Sequence, residues 1–199
     1  MTDMTIALNL EPAAKAVTTD KRGLALLRHV MDHIEQQAAS VHAPAQEDHA
    51  GTWNQNDWAV FDPQNVADLP PDGSDTGNLN MFTTLRVLSP EDAHLCGTAF
   101  CFAGHTCLAV GDSFLVEFDE DEAASYRVIV SPGPVAQSDI IANRATQLLD
   151  LDDETTTVLF RAHNTLADLR AMVETIEETG ELICCQSCGG WVEQCEGCC

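Results

Sequence analysis

Thr98-Ala99-Phe100-Cys101-Phe102-Ala103-Gly104-His105-Thr106-Cys107-Leu108-Ala109-Val110-Gly111 is apolar on nearly every side of a helical wheel. A helix with no polar face to give to solvent has to run through the middle of a domain. Thr98 is placed to cap it and Gly111 to end it, so the expected span is Ala99 to Val110. Cys96, Phe100, Ala103 and Cys107 follow one face at i, i+4, i+7, i+11. Free cysteine is among the most buried residue types, so packing is the simplest role for these thiols.

On the N-terminal side, Leu27, Val30, Met31 and Ile34 repeat at helical spacing and predict an amphipathic helix with Asp20 as its N-cap. His29 and His33, four apart, could share a metal, but they are expected on the solvent side of that helix. Residues 1–20 read as a flexible arm. Residues 38–52 and 62–80, rich in Ala, Pro, Gly, Asp and Asn, read as loops. Between them Trp53-Asn54-Gln55-Asn56-Asp57-Trp58 is expected to pack a short irregular segment, with the tryptophans as alternative contact residues. Met81 to Leu88 suits a strand, and Ser89-Pro90-Glu91-Asp92 suits a helical turn.

On the C-terminal side, Phe114–Phe118 and Tyr126–Val130 alternate around an acidic turn, which predicts a β-hairpin over 113–130. A helical stripe of Ile140, Ile141, Ala145, Leu148 and Leu149 is expected from Ser138 onward. Asp152 or Asp153 opens a short helix that ends near Phe160. Thr165 and Asp168 form a capping box for a last helix that Gly180 stops. The predicted fold class is α+β, mainly α: a helical core domain over 21–180 with one inserted hairpin and a Cys-rich tail over 181–199.

The charge balance is lopsided: 32 acidic residues against 9 basic ones, a net charge of −23. Such a field repels phosphate backbones, so direct nucleic-acid binding is not expected; a basic protein partner is better matched. The plain alternative is a solvated acidic surface in a Lys-poor proteome. No apolar run reaches the roughly 18 residues that span a bilayer. Met1 to Leu10 lacks the basic and apolar regions of a secretion signal, which points to the bacterial cytosol.

In a reducing compartment clustered cysteines read as metal ligands or redox groups. Six of the nine cysteines lie between Cys184 and Cys199. Cys185/Cys188 and Cys195/Cys198 are two CxxC pairs, and four thiolates suit a structural Zn²⁺ site. Iron–sulfur ligation and a redox-active thiol tail are the alternatives, with Cys184 and Cys199 as spare ligands. The six residues between Cys188 and Cys195 are fewer than ribbon-type sites usually have, which suggests a small knuckle with Trp191 at its tip. A tail this poor in apolar residues should fold as it binds metal.

A catalytic reading attaches to Cys101: a thiol at a helix start is activated, with His105 one turn on and His163 and Asn164 available to complete a Cys-His-Asn set. Cys96, Cys101 and His105, or His94, could alternatively hold a second metal. No phosphate-binding glycine loop, HExxH or GxSxG occurs.

Four blocks carry a family resemblance: Leu26-Leu27-Arg28 to Asp32-His33-Ile34-Glu35; Trp53-Asn54-Gln55 to Trp58; Cys96-Gly97-Thr98 through Cys101 to Ala103-Gly104-His105; and Leu148 to Val173 with Asn164-Thr165-Leu166-Ala167-Asp168-Leu169-Arg170. Over about residues 20–178 the chain resembles a family of small actinobacterial and actinophage proteins. The resemblance implies a compact helical domain and no particular activity. Taken together, the chain reads as a small acidic accessory protein that binds a protein partner and carries a structural zinc. A hydrolase with Cys101 as nucleophile and an acidic mimic of nucleic acid are the competing classes.

Overall fold

The computed structural model describes residues 18–40, 49–50, 53–55, 59–60, 84–90, 99–118, 123–131, 137–185, 187–188 and 190–195. The expectations for an arm over 1–17, a loop over 62–80, and roles for Trp58, His94, Cys96, Cys198 and Cys199 lie outside the described residues.

Helix α1, Gly23–Ser40, turns Leu26, Leu27, Val30, Met31 and Ile34 inward, and all five are buried. It runs into the start of the loop expected over 38–52, because Gln36, Gln37, Ala38 and Ala39 are tolerant helix formers and nothing there breaks the ladder. The solvent position expected for the two histidines is also corrected. His29 and His33 are half-buried, and the His33 ring stands edge-on to the His105 ring with centroids 5.5 Å apart. At about 100° per residue, His33 returns to within roughly 20° of Leu26, so it borders the buried face.

Helix α2, Phe102–Ala109, is the central element: Phe102 through Leu108 are all buried, as its apolar surface requires. It starts three residues later than the sequence suggests. Ala99–Phe100 is instead a two-residue strand, and Cys101 is the extended N-cap residue. A short apolar run does not distinguish strand from helix, and here backbone pairing decides. Gly111, at φ +86°, takes the left-handed turn that lets Asp112 N–H reach Cys107 O at 3.1 Å. The chain just ahead of α1 is fixed to this turn by Thr19 N–H donating to Ala109 O at 2.7 Å.

Two sheets flank the helices. The smaller joins β1 (His49–Ala50), β2 (Trp53–Asn54), β3 (Ala59–Val60) and β5 (Ala99–Phe100) in the order β1-β2-β5-β3; β2 and β5 run parallel. The larger is antiparallel. The expected hairpin is present as β6 (Ser113–Phe118) and β7 (Ala123–Ser131), with Phe114 opposite Val128. Strand β4 (Thr84–Leu88) adds to one edge of it and β8 (Gln137–Ile140) to the other. Residues 138–140 are thus strand where a helix start was expected, and Ile140 is 52% exposed. Pairing with β7 makes these residues strand, and Asp139 Oδ1 accepts Ile140 N–H at 2.7 Å and Asn143 Nδ2–H at 3.3 Å where the strand gives way to helix.

Three helices complete the core. Helix α3 (Ile141–Leu149) buries Ile141, Ala145, Leu148 and Leu149. Helix α4 (Asp153–Leu159) follows the Asp152 N-cap, and α5 (Leu166–Thr179) opens on the Thr165–Asp168 capping box and closes at Gly180, φ +89°. Ion pairs Arg28–Glu177 and Arg170–Glu35, the latter at 2.6 Å, link α1 and α5, which run antiparallel. Arg144 grips Asp112 with two bonds, at 2.8 and 3.2 Å, tying α3 to the turn after α2. The result is an α+β fold in which helix predominates among the described residues, with a Cys-rich C-terminal region.

Asp152 accepts Thr155 N–H at 2.7 Å and the Thr155 hydroxyl at 3.0 Å, and these bonds hold its carboxyl below its ordinary value. Its stabilising effect is therefore complete above the unfolded carboxylate range and disappears as pH falls through the lowered value. Asp152→Ala should cost about 1 kcal/mol at pH 7 and flatten the acid limb of stability against pH. Urea melts from pH 2 to 7 check this.

Candidate metal centre in the C-terminal knuckle

After Gly180 the chain crosses the end of α4. Leu182 N–H donates to the Thr155 hydroxyl at 3.1 Å. Residues 183–185 then pair with 190–192 as a knuckle: Val192 N–H donates to Ile183 O at 2.9 Å, Cys185 N–H to Gly190 O at 2.6 Å, and Cys184 pairs with Trp191. A 3₁₀ turn, Val192–Gln194, brings Cys195 back. Extended backbone sends neighbouring side chains to opposite sides. Accordingly Cys184 Sγ turns away to the Glu154 carbonyl at 3.6 Å, and burial, with the nearby Glu154 charge, pushes its thiol upward. Cys185, 1% exposed, faces inward.

The Sγ atoms of Cys185, Cys188 and Cys195 all lie within 4.8 Å of one another, and the cluster could hold a metal ion. Four thiolates around Zn²⁺ at about 2.3 Å would be about 3.8 Å apart, inside the 4.8 Å limit that all three sulfur pairs keep. Cys188 and Cys195 approach to 3.2 Å and need to open slightly. The chemistry of the donors, all sulfur, favours a soft or borderline ion. Of the four sequence-predicted ligands these three come together, and Cys198 lies outside the described residues. Cys184, with its Sγ 3.6 Å from the Glu154 carbonyl, is not among the three.

Cys195 is disulfide-bonded. Metal ligands are thiolates, and a disulfide sulfur does not replace one. The cluster is therefore a metal site only in its reduced form.

The sequence places Trp191 at the tip of the knuckle. It is instead 6% exposed and belongs, with Leu182, to the main core. An indole is the largest apolar surface in the tail, and burying it is what seats the knuckle on the domain. Ile183, 64% exposed, and Val192, 38% exposed, are large apolar side chains the knuckle leaves outside. Arg161, in the α4–α5 connection, reaches over the knuckle: its Nη2 donates to Cys188 O at 3.2 Å.

Sequence reasoning missed Gln55. Its Oε1 accepts Phe102 N–H at 3.1 Å, at the start of α2. Its Nε2 donates to Leu159 O at 3.3 Å and Arg161 O at 3.1 Å. Gln55 thus satisfies a helix end that no side chain of α2's own N-cap serves. The Trp-Asn-Gln block offered the residue, but nothing local indicated its partners 47 to 106 positions away.

The Cys101 catalytic candidates are divided between the core and the surface. Cys101 is 1% exposed and His105 is buried, whereas His163 is exposed. Asn164 is committed to Val158 O at 2.8 Å and Leu159 O at 2.9 Å, closing the end of α4. A thiol sealed in the core and an imidazole on the surface share no space for a substrate. Burial first, and the Asp112 charge next, raise Cys107 well above the usual thiol range, as befits an inert core cysteine. No helix among the described residues is long and apolar enough to cross a membrane.

No family model, no curated protein and no solved structure matches the chain. The resemblance built on Cys96–His105 and Asn164–Arg170 therefore rests on the sequence pattern.

Gln55→Met should leave Phe102 N–H without its acceptor and destabilise the domain by about 1–3 kcal/mol, measured by denaturant unfolding. Metal uptake should follow the thiol state: about one Zn²⁺ per chain after reduction, and at least tenfold weaker binding after mild oxidation, by titration against a chromophoric chelator.

Proposed function

We propose that this protein is a small acidic accessory factor of an actinobacterium or its phage, working in the cytosol by binding a protein partner, with a zinc-stapled C-terminal knuckle. The convergence of Cys185, Cys188 and Cys195 supports the metal part of this reading more than any other observation. Cys198 is the fourth ligand, since it completes the second CxxC pair. The ion is structural: four protein thiolates leave no open position for substrate. A net charge of −23 favours a basic partner, and the exposed Ile183 and Val192, with exposed Glu181 and Glu193 near them in sequence, give the knuckle an apolar point on an acidic chain. The burial of Cys101 counts against the hydrolase alternative.

Protein purified under reduction and without chelator should carry about one zinc per chain by elemental analysis. Cys188→Ser and Cys198→Ser should abolish this stoichiometry, whereas Cys184→Ser should keep it. A metal-free wild type whose Cys185 and Cys188 alkylate freely would contradict the assignment.

A further inference from the structure

Four thiolates and one Zn²⁺ carry a net charge of −2, on a chain already at −23. Such a centre needs donors and positive charge around it, because sulfur ligands are tuned and held by what surrounds them. Two groups meet Cys188 in this way. Gly190 N–H donates to Cys188 Sγ at 3.4 Å. Arg161 comes from outside the knuckle. Its Nη2 donates to the Cys188 carbonyl at 3.2 Å. A Cβ on Gly190 would lie 3.3 Å from Arg161 Nη1 and 3.4 Å from Cys188 Sγ. The guanidinium and the sulfur are thus within ~7 Å of each other, inside one Debye length at physiological salt. The main chain of Arg161 is fixed in turn, since its carbonyl accepts Gln55 Nε2–H at 3.1 Å while Gln55 Oε1 holds the first N–H of α2.

We propose that Arg161 is the positioning residue of the metal site: it fastens the Cys188 turn to the core and offsets the charge of the thiolates. The inference rests on the metal reading above. It gives the long-range Gln55–Arg161–Cys188 chain a purpose, which is to register a metal knuckle against the N-terminus of the central helix. It also explains why residue 190 is glycine, since any side chain there would enter the space between the guanidinium and the sulfur.

The test uses the full chain, reduced, with Co²⁺ and then Zn²⁺ titrated against a chromophoric chelator. Arg161→Met keeps the stem and removes the charge; Arg161→Lys restores the charge without the fork. The expected result is a 10–100-fold loss of affinity in the Met variant, a loss at least threefold smaller in the Lys variant, and unchanged Co²⁺–thiolate bands in both. Gly190→Ala, which crowds Arg161 and Cys188 without altering any charge or ligand, should lose about 3–10-fold and serves if Arg161→Met does not fold. Binding of the Met variant within twofold of wild type, a Lys variant no tighter than Met, or an unaffected Gly190→Ala would overturn the proposal. Failure of the reduced wild type to bind either ion would overturn the metal reading itself.

Discussion

A helix without a polar face sets the terms for everything around it. Phe102 through Leu108 are all buried, so α2 can have solvent neither along its sides nor at its N-terminal end. Its sides are covered by α1 and α3, with Phe100 and Phe114 stacked nearby at 5.0 Å between ring centroids. The end is the harder problem, because the first N–H groups of a helix have no partners within it. A surface helix meets this with a Ser, Thr or Asp cap and water. Here the N-cap is Cys101, whose side chain makes no capping bond, and the acceptor comes from Gln55, far away in sequence. The short β2 and β5 strands, which pair Trp53 with Phe100, bring that segment to the right place.

From Gln55 the same network continues to the end of α4 and to the knuckle. Gln55 and Asn164 between them occupy the carbonyls of Val158, Leu159 and Arg161, so the turn after α4 has its polar groups satisfied although it lies against the core. Arg161 projects from that turn to Cys188. The knuckle thus sits on a surface already made rigid by buried hydrogen bonds, and Trp191 and Leu182 add apolar burial beneath it. Its cysteines serve a site whose position is set by the fold; the formation of thiolates depends on the redox state of Cys195.

Legibility varied with the range of the physics involved. The capping box at Thr165–Asp168, the Asp152 cap, the glycine stops at Gly111 and Gly180 and the hairpin around residue 120 all depend on interactions within a few residues, and all were readable. The start of α2 and the strand nature of Gln137–Ile140 were not, because both are decided by pairing with distant strands. His33 was misplaced by judging one helix against a stripe drawn too narrowly. At the tail, CxxC spacing identified Cys185, Cys188 and Cys195. The same spacing could not show that Trp191 is an anchor or that Cys184 Sγ turns to the Glu154 carbonyl, since which way each residue of a short extended segment faces depends on what it lands on.

The sequence by itself therefore determined the inventory: a buried central helix, two capped helices, a hairpin, a strongly acidic surface and a cluster of thiols. These follow from periodicity, local hydrogen bonding and composition, which need no partner. Tertiary structure alone decided the assignments that join distant parts: Gln55 to α2, Arg161 to Cys188, Trp191 to the core, and Cys101 into a sealed interior. Each of those is a matter of which buried donor finds which acceptor, or which large side chain fills which gap. The chain must be folded before either question has an answer.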